Sequence, residues 1–216
     1  MKEVFSHVYA DERGYLTRNL VPGRRVYGEK LIERDGIEYR VWNPYRSKLA
    51  SALSSGLMDL PFTGTSKVLY LGAATGTTVS HISDIVDSGV VYAVEFAPRS
   101  MREFLNVARE RPNIVPILAD AKDPLSYAPL IEKVDVIYQD IAQVEQADIL
   151  VRNLPFLRPG GHIMLCIKAR SIDVTKDPEL VFKKEVATLK PFVDVTETVD
   201  ISEYEHDHSF IVGIKR

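Results

Sequence analysis

From Lys67 onward, continuous apolar runs alternate with segments whose apolar residues recur at helical spacing. Such runs are typical of strands covered on both faces, as in a parallel sheet. The pattern predicts strands at 67–72, 90–95, 114–119, 134–139 and 161–167, with an antiparallel pair at 193–200 and 209–215. It predicts helices at 77–87, 98–110, 125–132, 145–156 and 178–189. This alternation indicates an α/β fold with a doubly wound, seven-stranded, mostly parallel sheet and a late antiparallel hairpin.

The first 42 residues show short strand-like runs separated by turn signals. Asp35-Gly36, between KLIER and IEYRV, predicts a hairpin with a type I′ turn, because both turn positions require positive φ. We therefore expect a small N-terminal antiparallel β subdomain over 1–42 and a second domain over 43–216. Asn43-Pro44 predicts the start of a helix in that second domain, with Asn43 as the N-cap.

Charge and composition narrow the classes of function. A net charge of −3 and a pI near 6.0 weigh against a protein that binds nucleic acid tightly by itself. The first 50 residues are comparatively basic, and a solvated face is the preferred interpretation of their cations: Arg18, Arg24, Arg25, Lys30, Arg40, Arg46 and Lys48. One cysteine, no signal-like start and no long apolar run favour a cytoplasmic protein without a membrane segment.

The turn after the first strand of the second domain indicates a cofactor. Residues 72–77 read GAATGT, which lacks the three-glycine spacing of a dinucleotide turn and the lysine of a P-loop. An adenosine cofactor without a pyrophosphate, such as S-adenosylmethionine, requires neither. Ligands of such sheets bind beyond the carboxyl ends of the strands, so the candidate binding residues begin with Gly72, Ala73, Ala74, Gly76, Thr77 and Thr78.

Each candidate has a chemical reason to bind. Gly72 and Gly76 would let the backbone approach the ligand, and the start of the following helix at Thr77 and Thr78 favours a carboxylate. Glu95 can accept both hydroxyls of a ribose. Asp120, followed by Ala121, can accept from an adenine amine, and Phe96 would pack near the base.

Two charged residues end apolar strands that we expect to be neighbours. Asp140 follows VDVIYQ and Lys168 follows HIMLCI. Such a pair is ordinarily a salt bridge. At the ligand edge of a sheet, however, Lys168 could take a proton from an alcohol nucleophile during methyl transfer, while Asp140 orients the amine.

Lys48 and His208 are weaker candidates. Lys48 is by itself better explained as a solvated helix residue, and His208 as a polar group at a strand start. The run His206-Asp207-His208 lacks helical ligand spacing and partner cysteines, so we predict no metal site.

Two other classes of function remain open from the residues alone. Glu95 lies 23 residues after Gly72, which suits a dinucleotide-dependent oxidoreductase, although the pyrophosphate glycines are missing. A non-catalytic assembly module is the third class. The presence of the whole set of candidate site residues at the strand ends argues against it.

Several long motifs resemble the fibrillarin family of RNA 2′-O-methyltransferases. They are VWNPYRSKLASAL, KVLYLGAATGTTVSHISDIV, VYAVEFAPRS, VDVIYQDIAQ, GGHIMLCIKA and HDHSFIVGI, and the match extends from about Leu16 to Lys215. The chain lacks a glycine/arginine-rich arm, as in the archaeal fibrillarin-like form.

The resemblance implies a Rossmann-like methyltransferase fold and S-adenosylmethionine-dependent 2′-O-methylation of rRNA or tRNA. It implies that Asp140, Ile141, Ala142 and Gln143 join the cofactor contacts, and that Lys48, Asp140, Lys168 and His208 surround the acceptor hydroxyl. It also implies partners: a Nop-domain scaffold protein, a kink-turn-binding ribosomal-protein homologue, a box C/D guide RNA and the target RNA. Base pairing by a guide would explain why an acidic enzyme need not read RNA sequence.

Overall fold

The computed structural model describes residues 1–216, which form two sheets and six α-helices. The strands are β1 (Lys2–Phe5), β2 (Val8–Asp11), β3 (Gly14–Arg18), β4 (Leu31–Arg34), β5 (Ile37–Val41), β6 (Lys67–Leu71), β7 (Val90–Glu95), β8 (Ile114–Leu118), β9 (Val134–Gln139), β10 (Leu157–Lys168), β11 (Val193–Asp200) and β12 (His208–Lys215). The helices are α1 (Lys48–Ser54), α2 (Thr77–Ile85), α3 (Pro98–Glu110), α4 (Gln146–Asn153), α5 (Ala169–Ile172) and α6 (Pro178–Leu189). None of these helices has the length and apolar character needed to cross a membrane.

The main sheet has the order β11-β12-β10-β9-β6-β7-β8. The strands from β10 to β8 are parallel, and β12 pairs antiparallel with both β10 and β11, which confirms the predicted fold. The chain runs from β6 outward to β7 and β8 and then returns to β9 on the other side of β6. This reversal creates the crevice at which ligands of open α/β sheets bind.

The N-terminal sheet has the order β1-β2-β3-β5-β4. Asp35 and Gly36 have φ values of 53° and 75°, so the predicted hairpin turn is confirmed. This sheet packs on α2: Val8 and Trp42 share one hydrophobic cluster with Val79 and Ile82. The N-terminal strands therefore contribute to the same core as the main sheet.

The predicted helix start at Asn43 is wrong. The Asn43 side chain accepts a hydrogen bond from Tyr45 N (2.9 Å), which stabilises a local turn instead of a helix. α1 begins at Lys48, with Ser47 as its N-cap. Ser47 Oγ also accepts the indole N–H of Trp42 (2.9 Å) and lies 3.0 Å from Thr78 Oγ1, so tertiary contacts select the cap.

The predicted helix at 125–132 is also wrong. Two short 3₁₀ turns, Pro124–Ser126 and Ala128–Leu130, occupy this segment. Pro129 lies in its middle. Proline lacks an N–H and its ring collides with the carbonyl four residues earlier, so a continuous α-helix is unfavourable here. The small helix α5 was not predicted, and β10 starts four residues before its predicted start.

A buried ionic cluster joins the N-terminal sheet to α2 and to the end of α3. Asp84 accepts from Arg40 Nη1 (2.8 Å) and Arg111 Nη1 (2.6 Å), and Arg40 Nε also donates to Glu29 (2.6 Å). All four side chains are buried. Arg40 is fully buried, so the expectation that it lies on a solvated face is wrong. Its two carboxylate partners compensate for its loss of water.

His81 of α2 also contacts residues of the N-terminal region. Its ring nitrogens lie 2.8 Å from Thr17 Oγ1 and 2.8 Å from Tyr27 OH, and its ring stacks on Trp42. Burial, and then the nearby Arg40 and Arg111 charges, hold the pKa of His81 well below its usual range. The imidazole is therefore neutral, and it connects α2 to the N-terminal sheet.

We predict that Asp84→Asn lowers the free energy of unfolding by about 3–5 kcal/mol, because it leaves two buried guanidinium groups without their shared carboxylate. Urea denaturation measures this change. Asp194→Asn removes the partner of Arg216 in an exposed pair and is the matched control, expected to stay within about 0.5 kcal/mol of the unchanged protein. Equal effects of the two substitutions would contradict this interpretation of the cluster.

Candidate active site

A cavity of about 300 Å³ lies at the carboxyl edge of the main sheet. The segments that follow β6, β7, β8 and β9 line it, together with the last residue of β10. Eleven of the candidate residues meet there: Gly72, Ala74, Glu95, Phe96, Asp120, Ala121, Asp140, Ile141, Ala142, Gln143 and Lys168. Parallel strands end at one edge, so the topology brings together residues that lie far apart in the sequence.

Glu95 is buried at the end of β7, and its carboxylate is held by the backbone. Its Oε2 accepts from Ala74 N and its Oε1 from Ala97 N, both at 2.8 Å. Because a carboxylate oxygen has more than one acceptor site, each can still receive a ligand donor. Two adjacent hydroxyls of a ribose fit this arrangement. Asp120 is exposed in the same cavity and accepts from Lys122 N (2.9 Å).

The two glycines of the turn are required by the protein itself. Gly72 has a φ of 91°, and a Cβ there would lie 2.5 Å from Asp140 O. Gly76 has a φ of 96°, and a Cβ there would lie 2.7 Å from Phe104 of α3. These contacts allow the turn to pack against its neighbours. Gly72 also lines the cavity, whereas Gly76 does not, and close approach of either glycine to a ligand stays a prediction.

Asp140 and Lys168 form an ion pair at the rim of the cavity, which confirms that their strands are neighbours. Lys168 Nζ lies 2.6 Å from Asp140 Oδ1, and their side chains are only 15% and 13% exposed. The Lys168 ammonium thus compensates the buried Asp140 carboxylate for its loss of water.

Gln146, at the start of α4, fixes the end of β10. Its Oε1 accepts from Lys168 N (2.9 Å), and its Nε2 donates to Gln143 O (2.9 Å) and Lys168 O (3.2 Å). The buried amide thus ties the loop after β9 to Lys168. Sequence reasoning missed Gln146, since nothing in the local pattern distinguishes it from a solvated residue at a helix start.

Lys48 and His208 lie on other elements, outside the lining of the cavity. His208 is the register partner of Lys168 in the β10–β12 pair, so the two side chains lie on one face of the sheet. Its Nδ1 donates to His206 O (2.6 Å), which leaves Nε2 free. Lys48 forms an ion pair with Glu205 (3.0 Å). Burial alone would lower the pKa of Lys48, but Asp140 and Glu205 outweigh it and raise that pKa.

Comparison with known proteins agrees with this geometry. The fibrillarin family model matches residues 1–216, which is the whole chain. The chain belongs to the fibrillarin family. A fibrillarin-like rRNA/tRNA 2′-O-methyltransferase of Methanopyrus kandleri is 58% identical over 200 residues, covering 91% of this chain and 86% of that protein.

Two solved fibrillarin structures are also similar. Aeropyrum pernix fibrillarin, in complex with natively bound S-adenosyl-L-methionine, superposes with a TM-score of 0.87 at 51% identity, covering 93% of this chain and 88% of that one. The fibrillarin of a fibrillarin/Nop5p complex superposes with a TM-score of 0.92 at 42% identity, covering 100% of both chains. The fibrillarin fold thus extends over this entire chain.

Four of the candidate cofactor residues lie outside the lining of the cavity: Ala73, Gly76, Thr77 and Thr78. Thr77 faces a second cavity, which Arg24, Arg25 and Arg46 also line. Thr78 is buried, with its hydroxyl near Ser47. In this member of the fibrillarin family, direct ligand contacts by these four residues therefore stay a prediction.

We predict that Gly72→Ala displaces Asp140, because the added methyl group would collide with the Asp140 carbonyl. The expected result is a loss of ligand binding at the cavity and a fall in thermal stability. Gly160→Ala is the matched control. Gly160 has a φ of 69°, but no atom lies within 4 Å of the position that an added Cβ would take, so only a loss of about 1 kcal/mol of stability from backbone strain is expected. Thermal unfolding of both variants measures the difference. A similar loss of stability in both would exclude the collision as the cause.

Proposed function

We propose that this chain transfers a methyl group from S-adenosylmethionine to the 2′-hydroxyl of an RNA ribose. The observation that carries the proposal is that one cavity contains both Glu95 and Asp120, suited to an adenosine, and the Asp140–Lys168 pair at its rim. The names of the family's members support the substrate, since the Methanopyrus kandleri relative is an rRNA/tRNA 2′-O-methyltransferase. A dinucleotide has no comparable support, because the turn contains no pyrophosphate glycines.

The residues fit the cofactor. Glu95, held by two backbone N–H groups, would accept the ribose hydroxyls, and Asp120 would accept the adenine amine. Phe96 is 61% exposed at the cavity and would cover the base. Bound S-adenosylmethionine supplies an activated methyl group on a sulfonium sulfur.

Asp140 and Lys168 would act on the acceptor hydroxyl. Lys168 would first release the ammonium proton of its ion pair to solvent. Its amine would then take the hydroxyl proton as the bond between the ribose oxygen and the methyl carbon forms and the sulfonium–methyl bond breaks, leaving a thioether. The resulting ammonium is stabilised by the Asp140 carboxylate, which already lies 2.6 Å away. Gln146 holds the Lys168 backbone and Asp140 holds its amine, so the amine is aligned before the RNA arrives. Much of the rate would come from this alignment, since fixed geometry removes entropy from the barrier.

Lys48 and His208 would complete the acceptor side. The raised pKa of Lys48 keeps it an ammonium at neutral pH, so it would stabilise negative charge on the ribose oxygen or a nearby phosphate rather than accept a proton. The free Nε2 of His208 could contact the RNA beside Lys168.

The protein would work within a guide ribonucleoprotein. The solved fibrillarin/Nop5p complex supports a Nop-domain scaffold as the partner. A kink-turn-binding protein and a box C/D guide RNA would complete the assembly, with target RNA selected by base pairing. The net charge of −3 agrees with this division of tasks, since the guide and its partners would supply RNA affinity. A cytoplasmic location stays a prediction from the sequence.

We predict that Asp140→Ala and Lys168→Ala each lower the rate of methyl transfer about 100-fold or more, because each removes one half of the proton-accepting pair. The measurement is single-turnover transfer of a labelled methyl group to guide-paired RNA. Calorimetry on Lys168→Ala should show S-adenosylmethionine affinity close to that of the unchanged protein.

Lys176→Ala is the matched control, since Lys176 forms an exposed ion pair with Asp173 away from the cavity. It should transfer methyl groups at the normal rate. Normal rates in both the Asp140 and the Lys168 variant would refute the proposed chemistry. Tight binding of NAD without binding of S-adenosylmethionine would refute the proposed cofactor.

A further inference from the structure

The loop between β11 and β12, residues 201–207, contacts the first residue of α1 and the turn before that helix. Glu205 Oε1 lies 3.0 Å from Lys48 Nζ. The ring of Tyr204 meets that of Tyr45 edge to face, with centroids 5.2 Å apart. The two contacts come from adjacent residues of the loop, so together they fix how the loop lies over Lys48.

The loop itself is held on both sides of Glu205. Tyr204 N and Glu205 N both donate to Ile201 O, at 3.0 Å and 2.9 Å. On the other side, Asp207 accepts from Arg170 Nε (2.8 Å). The Glu205 carboxylate therefore starts from a defined backbone position, which lowers the entropy lost when it forms an ion pair.

The Lys48 amine requires a fixed partner of this kind to stay in one position. A lysine side chain has four flexible methylene groups and loses considerable rotamer entropy when its amine is held in one place. The Lys48 and Glu205 side chains are 24% and 28% exposed, so their pairing is less screened than that of a surface pair. Lys48 also interacts electrostatically with the carboxylate of Asp140, the candidate catalytic residue after β9.

We propose that Glu205 is a positioning residue that holds the Lys48 ammonium in place on the acceptor side of the cavity. This inference rests on the proposed methyl transfer. Glu205 acts through Lys48 and makes no contact with the reacting atoms. Its replacement should therefore reduce turnover, with little effect on the affinity for S-adenosylmethionine or RNA.

The charges around Lys48 predict a second effect of Glu205. The groups that influence its amine are Asp140 after β9, Glu205 in the loop and Cys166 on β10. Burial lowers the pKa of Lys48, whereas both carboxylates raise it. Burial also raises the pKa of the Cys166 thiol well above its usual range, so that group remains uncharged. Removing the Glu205 charge should thus lower the pKa of Lys48.

The test compares Glu205→Gln with Glu203→Gln, which removes the same charge from an exposed position of the same loop. We expect the single-turnover rate of Glu205→Gln to fall about tenfold, as for the loss of a charge-assisted hydrogen bond. KM for RNA and the Kd for S-adenosylmethionine should stay within about twofold. Glu203→Gln should behave as the unchanged protein. An unchanged rate in Glu205→Gln would overturn the inference.

A double-variant cycle shows whether Glu205 acts through Lys48. In a Lys48→Ala background, Glu205→Gln should cause no further loss of rate, because no amine remains to be positioned. The same tenfold loss in that background would contradict the inference and indicate a direct contact of Glu205 with RNA.

The titration of Lys48, followed by NMR of labelled lysine Cε in the free protein, requires no catalytic activity. Its midpoint should lie at lower pH in Glu205→Gln than in Glu203→Gln. An unchanged midpoint would overturn the inference even if the rate falls. A protein that methylates no RNA but shows the shifted midpoint would refute the proposed function and retain the contact between Glu205 and Lys48.

Discussion

The parallel strands β6, β7, β9 and β10 end at one edge of the main sheet, and the cavity exists because the turns after them diverge at the reversal between β6 and β9. Glu95, Asp140 and Lys168 are each the last residue of a strand or the first one after it. Hydrogen bonding between the strands fixes the relative positions of these side chains. The turn after β6 can approach the Asp140 carbonyl only because Gly72 has no side chain.

The N-terminal sheet supports the acceptor side of this cavity through a buried polar chain. Asp84 binds Arg40 of β5, and His81 of the same helix stacks on Trp42. The Trp42 indole donates to Ser47, the N-cap of α1, and Lys48 is the first residue of that helix. The placement of Lys48 thus depends on ionic and aromatic contacts that contain none of the candidate catalytic groups. This dependence gives the small sheet a role in the site although it contributes no side chain to the lining.

The parts of the site that the sequence predicts are those set by local position in a strand. Glu95, Asp140 and Lys168 could be identified because an acid or a lysine directly ends an apolar run, and the sheet topology follows from the alternation of strands and helices. The pairing of Lys48 with Glu205 could not be predicted, because it depends on how the β11–β12 loop packs against the start of α1, which is distant in the sequence. The burial of Arg40 could not be predicted for the same reason. Its alternating neighbours are typical of a half-exposed strand, but the face of β5 that carries Arg40 is covered by α2. The helix starts and the 3₁₀ turns were decided by side-chain hydrogen bonds and proline sterics, which periodicity does not contain.

The proposed acceptor is a ribose 2′-hydroxyl presented by a guide-paired RNA. The most direct test uses two target RNAs that differ only at the target nucleotide, one with ribose and one with 2′-deoxyribose, in the complex reconstituted with guide RNA and scaffold protein. We expect labelled methyl from S-adenosylmethionine to reach the first RNA at that single nucleotide and not to reach the second. Equal labelling of both RNAs, or labelling of the first without a guide at the same position and rate, would contradict it.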